Sequence, residues 1–171
     1  MSLQQTHNTT PFLSKKFPVI LVCDGVQSPS NIGSLFRICE AMGVLEVVFC
    51  NSKINFDSPR LKKTARSTQK KVSYSESSDI LKTLEELQQK GFSPIALEIT
   101  DNSVHVEKLS LAKNEKITLI IGNEKLGVSE IVLEYISQSI HIDMFGDNSS
   151  MNVVQATSIA LYSIINKLYL Y

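Results

Sequence analysis

The chain has 171 residues, 43% of them hydrophobic and 20% charged, a balance that suits one folded domain with its own core and excludes a largely disordered chain. No apolar run approaches the roughly 20 residues that span a bilayer, and the polar start MSLQQTHNTTPFLSKK has no apolar signal core, so a cytoplasmic protein is expected. Lys plus Arg equals Asp plus Glu at 17 each, which neither supports nor forbids a nucleic-acid partner, because the placement of positive charge decides that.

Residues 1–16 read as a flexible tail and residues 17–171 as one domain. PVILVCDGV (18–26) reads as a buried strand. NIGSLFRICEAMG (31–43) follows as a helix, with Ser30 or Asn31 as its cap and Gly43 as its stop. LEVVFCN (45–51) is a second strand. Ser58-Pro59 then opens a stretch bearing Arg60, Lys62, Lys63, Arg66, Lys70 and Lys71 without one acid. It reads either as a solvated charged loop or as an arm for phosphates.

KVSYSE (71–76) is a short strand, and SSDILKTLEELQQKG (77–91) is a helix with Ile80, Leu81, Leu84 and Leu87 on one stripe. SPIALEIT (93–100) and ITLIIG (117–122) are core strands, SEIVLEYIS (129–137) a short helix, SIHIDM (139–144) a strand, and 152–170 a closing helix. Strands alternating with helices predict an α/β fold with a mostly parallel sheet flanked by helices.

Cys23, Cys39 and Cys50 each lie among apolar neighbours and lack Cys-x-x-Cys spacing. They read as buried free thiols rather than a disulfide framework or a zinc site. His7, His105 and His141 are widely scattered along the chain, and no metal is expected.

Three strand ends carry the candidate chemistry, since ligands of open α/β sheets sit beyond the carboxyl ends of the strands. Asn31-Ile32-Gly33-Ser34-Leu35-Phe36-Arg37 follows the first strand. Gly122-Asn123-Glu124-Lys125-Leu126-Gly127 leaves the ITLII strand, and Met144 to Asn152 joins the last strand to the last helix. Singly, each has a plain structural explanation. Asn31, Ser149, Ser150 and Asn152 can cap helices, Arg37 can be a solvated helix residue, and Gly122 and Gly127 can be turn glycines. The dinucleotide fingerprint GxGxxG is missing after the first strand, which disfavours a nicotinamide oxidoreductase.

Together, Asn-x-Gly-x-x-x-Arg, Gly-x-Glu-x-x-Gly and Ser-Met-Asn-Val, in this order, resemble the three motifs of the SpoU/TrmH family of RNA ribose 2′-O-methyltransferases, within the SPOUT class. The resemblance covers about residues 18–170. It implies a C-terminal deep trefoil knot from about Ile117 to the last helix, a pocket for S-adenosylmethionine, and a homodimer using that helix. The helix's apolar face holds Val153, Ala156, Ile159, Ala160, Ile164 and Leu168.

By the same resemblance Arg37 is central to catalysis, with Asn31, Glu124, Ser150 and Asn152 around it. Leu97, Gly122, Ile142, Ser150 and Met151 then contact the cofactor, and the basic stretch contacts RNA, with tRNA expected ahead of rRNA. A guanidinium keeps its proton to a pKa above ~12. Three roles for Arg37 therefore stay open: stabilising an alkoxide, orienting a phosphate, or transient proton loss in a desolvated site. Asn31 and Glu124 would position Arg37 or the substrate by charge-assisted hydrogen bonds. Asp143 stands where many relatives carry proline, Met151 where leucine is frequent, and Gln155 near a usually small position. A catalytically silent RNA-binding relative is the alternative, against which the complete motif set counts.

Overall fold

The computed structural model describes residues 14–148 and 150–170; the expected tail up to residue 13, and Ser149, lie outside them. Seven strands form one sheet: β1 (Phe17–Asp24), β2 (Val44–Cys50), β3 (Ser73–Ser77), β4 (Phe92–Leu97), β5 (Val104–His105), β6 (Lys116–Ile121) and β7 (Ser139–His141). Their order is β3-β2-β1-β6-β4-β7-β5, and every pairing between them is parallel. The central strands of a parallel sheet are covered on both faces, which is why β1 and β6 are largely apolar and almost wholly buried.

Five helices supply that cover: α1 (Pro29–Ala41), α2 (Pro59–Ala65), α3 (Ile80–Gln89), α4 (Glu130–Tyr135) and α5 (Val153–Leu170). On one face Leu35, Phe36 and Cys39 of α1, Leu61 of α2, and Ala160, Leu161 and Ile164 of α5 pack on Leu21, Phe49 and Leu119. On the other, Leu84 and Leu87 of α3 and Val132 of α4 pack on Val22, Val48 and Ile120. No helix among the described residues is long and apolar enough to cross a membrane.

Two boundaries differ from expectation in ways that matter. Helix α1 starts at Pro29 with Ser28 as its cap, two residues before the expected cap pair, because proline at the first helical position is pre-set for the turn. Asn31 is thereby an ordinary helix residue whose side chain is not spent on capping. The basic stretch is also no loop. Ser58 caps α2 by accepting from Leu61 N–H, Pro59 starts the helix, and Leu61 and Ala65 are buried one turn apart.

After α2, Arg66 (φ 50°) and Ser67 (φ 69°) turn the chain through left-handed backbone into a 3-10 turn at Thr68–Lys70. The apolar pair was hidden among the charges. A Cβ on Gly33 would collide with Thr64 Oγ1 and the Leu61 carbonyl, so this glycine lets α1 and α2 lie against each other.

Three of the residues assigned to the closing helix's apolar face, Ala160, Ile164 and Leu168, are core. Ile159 is 42% exposed, and Tyr162 and Tyr169 are exposed further round the helix. At the other end of the sheet, Lys15 Nζ sits 4.5 Å above the Tyr169 ring and 5.0 Å above that of Phe17, tying the start of β1 to the end of α5.

Candidate active site

A pocket of about 520 Å³ opens beyond the carboxyl ends of β4, β6 and β7. Its wall includes Leu97, Gly122, Ile142, Ser150 and Met151, so the candidate cofactor residues, drawn from four separate segments, line one cavity. Its volume lies within the ~300–1,000 Å³ common for small-molecule sites.

The glycine-rich loop is a tight structure. Asn123 and Gly127 exchange backbone hydrogen bonds of 2.9 and 3.0 Å. The Asn123 side chain accepts from Lys125 N–H (2.9 Å) and Leu126 N–H (3.2 Å), and donates to the Gly25 carbonyl at 2.6 Å. A Cβ on Gly122 would run into the backbone of Gly127 and Val128. Gly127 has φ +69°, and a Cβ there would meet the Glu98 carboxylate. Only glycine fits either position.

From this loop Glu124 reaches back to the first segment. Its carboxylate accepts from Ser28 N–H (2.9 Å), Gln27 N–H (3.2 Å) and the Asn31 amide (3.0 Å). Asn31 in turn accepts at Oδ1 from the Asn152 side-chain amide at 3.2 Å. The three strand-end segments are thus joined by one chain of polar contacts, Glu124 to Asn31 to Asn152. Asn152 also accepts from Val154 N–H at 2.9 Å and caps α5, so one side chain serves both the helix and the site. Partial burial alone would raise the Glu124 carboxyl. The donors from Ser28, Asn31 and Gln27 outweigh it and hold the group below its ordinary 4.5.

Arg37 stands apart. It lies six residues beyond Asn31 on α1, which turns it about 120° away at ~100° per residue. It is exposed and has no hydrogen bond or ion pair among the described residues. Of the two expected roles for Glu124 and Asn31, positioning Arg37 or positioning the substrate, the first has no contact among the described residues: the pair hold each other and the start of α1, while Arg37 projects from a neighbouring face. Ser150 lines the pocket and is exposed.

Arg60, Lys62, Lys63, Arg66, Lys70 and Lys71 are all exposed. Lys62 pairs with Asp57 at 3.0 Å and Lys71 with Glu40 at 3.6 Å.

Three features have no counterpart among the sequence-based expectations. Glu98, at the pocket wall, accepts from Val128 N–H at 3.0 Å and Ile99 N–H at 3.0 Å. Asp24 is buried at the end of β1 and accepts from Ser129 N–H, the cap of α4, at 2.9 Å. His105 and His141, scattered in sequence, are register partners on β5 and β7. Asp143 Oδ1 lies 3.2 Å from His141 Nε2, and its other oxygen 3.8 Å from His105 Nε2. An acid at the carboxyl end of a buried strand, the last residue of β1 for Asp24 and the first after β4 for Glu98, was the available signal. Nothing local announced the histidine pair. Among the described residues no group of three or more His, Cys, Asp or Glu is placed to hold a metal ion.

Residues 18–162 match the SpoU rRNA Methylase family. A 23S rRNA (guanosine-2′-O-)-methyltransferase RlmB from Pseudomonas syringae pv. tomato is 28% identical over 150 residues, which cover 88% of this chain and 59% of that protein. The chain therefore spans about three-fifths of the length of the curated relatives of this kind that it matches. The crystal structure of the A. aeolicus TrmH/SpoU tRNA modifying enzyme superposes with a TM-score of 0.78 at 26% identity, over 90% of this chain and 77% of that one. An AdoMet-bound rRNA methyltransferase from Sinorhizobium meliloti shares the fold, with a TM-score of 0.81 at 17% identity over 94% of this chain and 60% of that one. The family match takes in all three strand-end segments and most of the sheet, and the chain belongs to the SpoU rRNA Methylase family.

Proposed function

We propose that this chain is an S-adenosylmethionine-dependent RNA methyltransferase acting on a ribose 2′-hydroxyl. The observation that carries this is the convergence of Leu97, Gly122, Ile142, Ser150 and Met151 on one pocket, beside the Glu124–Asn31–Asn152 chain. The pocket suits the group: apolar walls from Leu97, Ile121, Ile142 and Met151 can cover an adenine ring. Gly122 leaves backbone free for close approach. When bound, the cofactor supplies an electrophilic methyl on a sulfonium.

The residues of this chain do the rest. The polar chain fixes the start of α1 and the third-motif loop relative to each other, so that positioning costs little at the moment of reaction. Arg37, free of internal partners among the described residues, binds the RNA, where its charge steadies negative charge developing on the ribose oxygen. Arg60, Lys63, Arg66 and Lys70, on α2 and the turn after it, contact phosphates and set the RNA's register. The segment from Ile117 to the start of α5 is threaded as a deep trefoil knot; the support is that β6 and β7 each run between strands laid down earlier in the chain. The exposed Ile159, Tyr162 and Tyr169 on α5 favour a second copy of the chain as partner.

Between RNA classes, the names of the sequence relatives favour rRNA over the tRNA that the motifs suggested. The tRNA reading keeps one support, the similarity to the A. aeolicus tRNA modifying enzyme. The test is methyl transfer from radiolabelled S-adenosylmethionine to unmodified 23S rRNA and to unmodified tRNA, with the labelled nucleotide mapped. Label on a ribose 2′-oxygen of 23S rRNA is the expected result. Label on tRNA alone reverses the substrate choice. Bound cofactor with no label on either RNA overturns the enzyme reading in favour of a silent RNA-binding relative.

A further inference from the structure

Two carboxylates line the pocket, Glu98 and Glu124, and they are differently committed. Glu124 already accepts from three donors and is drawn towards α1. Glu98 accepts from two, Ile99 N–H at Oε1 and Val128 N–H at Oε2. An ionised carboxylate offers about four acceptor positions and no donor, so each Glu98 oxygen keeps one to spare. Among the described residues no cation pairs with it. It is a partly buried acceptor, fixed at both oxygens and short of donors, beside the apolar wall that Leu97, Ile121, Ile142 and Met151 give the cavity. A group so placed is completed by a ligand carrying hydroxyls.

Glu98 directly follows Leu97 at the end of β4. On the proposed cofactor reading, on which this inference rests, Leu97 lies against the adenine. The ribose is joined directly to that ring, and its two neighbouring hydroxyls match the paired oxygens of a carboxylate. We propose that Glu98 recognises the ribose diol of the nucleoside cofactor. The same contact links occupancy to the glycine loop, because Glu98 Oε2 also holds Val128 N–H. Gly127 must lack a Cβ for the carboxylate to lie there.

The test is calorimetric binding of S-adenosylhomocysteine, its 2′-deoxy and 3′-deoxy ribose counterparts, and its deaminated counterpart, to the wild-type chain and to Glu98→Gln. For wild type, removal of either hydroxyl weakens binding about tenfold to a hundredfold, the range for hydrogen bonds to a charged group. Removal of the amine has a smaller effect. Glu98→Gln binds the parent compound more weakly by a similar factor and no longer separates it from the deoxy forms.

Equal wild-type affinity for all three riboses overturns the proposal. So does a Glu98→Gln chain that discriminates as wild type does, or a variant whose altered discrimination concerns the amine instead. Amide exchange at Val128 tells whether glutamine has released the loop; if that protection disappears, the wild-type comparison alone decides. Wild type that binds none of the four compounds overturns the cofactor reading itself, which is a different result.

Discussion

At the scale of single residues, the site divides into groups that hold the protein together and one that does not. Arg37 is exposed and without partners among the described residues, so Arg37→Ala should change stability by no more than about 0.5 kcal/mol. Methyl transfer should fall at least about a hundredfold, the scale of removing one preorganised charge-stabilising donor, with cofactor affinity kept. Single-turnover labelling beside a binding titration checks this, and an active alanine variant removes Arg37 from the mechanism. Glu124 behaves in the opposite way. Its carboxyl is held below the ordinary 4.5 in the folded chain, so it favours the folded state above that value. The contribution disappears as pH falls through the depressed one. The melting-temperature gap between wild type and Glu124→Gln should therefore be full at neutral pH and narrow in acid below 4.5. A gap indifferent to pH would mean that the charged form is not what matters.

At the scale of elements, glycines decide what approaches what. Gly122→Ala would drive a methyl group into the backbone of Gly127 and Val128. It should destabilise the chain by about 2–4 kcal/mol in urea titration and empty the pocket of ligand. Gly33→Ala pushes α2 from α1 and should act first on the basic surface, moving RNA affinity while leaving cofactor affinity unchanged. Neutralising Lys63, Arg66 and Lys70 tests that surface directly. The slope of log affinity against log salt should drop by about 0.7–0.9 for each phosphate the protein no longer neutralises, and an unaltered slope would reduce α2 to a scaffold. Helix α2 is also where the sequence misled most instructively. The cap Ser58, Pro59 and the Leu61–Ala65 pair are ordinary helix signals, but six cations in the same stretch drew attention to charge instead of periodicity.

For the whole molecule, the α/β class was legible because central parallel strands are buried on both faces and so spell largely apolar runs, such as VILVC in β1 and VVFC in β2. The two-residue β5 is too short to leave any pattern. Contacts such as Glu124 with Asn31, or His141 with Asp143 and Ser103, belong to the fold rather than to the local chain. The buried thiols were legible from their neighbours. Burial raises Cys23 and Cys39 far from reactivity and pushes Cys50 up to about 11. A thiol reagent at pH 8 should titrate none of the 3 cysteines in the native chain and all of them in guanidinium. The strand order also bears on how the molecule is made. β6 fills the slot between β1 and β4, and β7 the slot between β4 and β5, so the strands bordering each slot leave the ribosome before the strand that fills it. Until β6 arrives, β1 and β4 each present an unpaired edge to any passing chain, a known route to aggregation. Synthesis halted before Lys116 would leave out both β6 and β7: the released fragment would hold one three-stranded half-sheet, β3-β2-β1, with β4 and β5 each left without a neighbour.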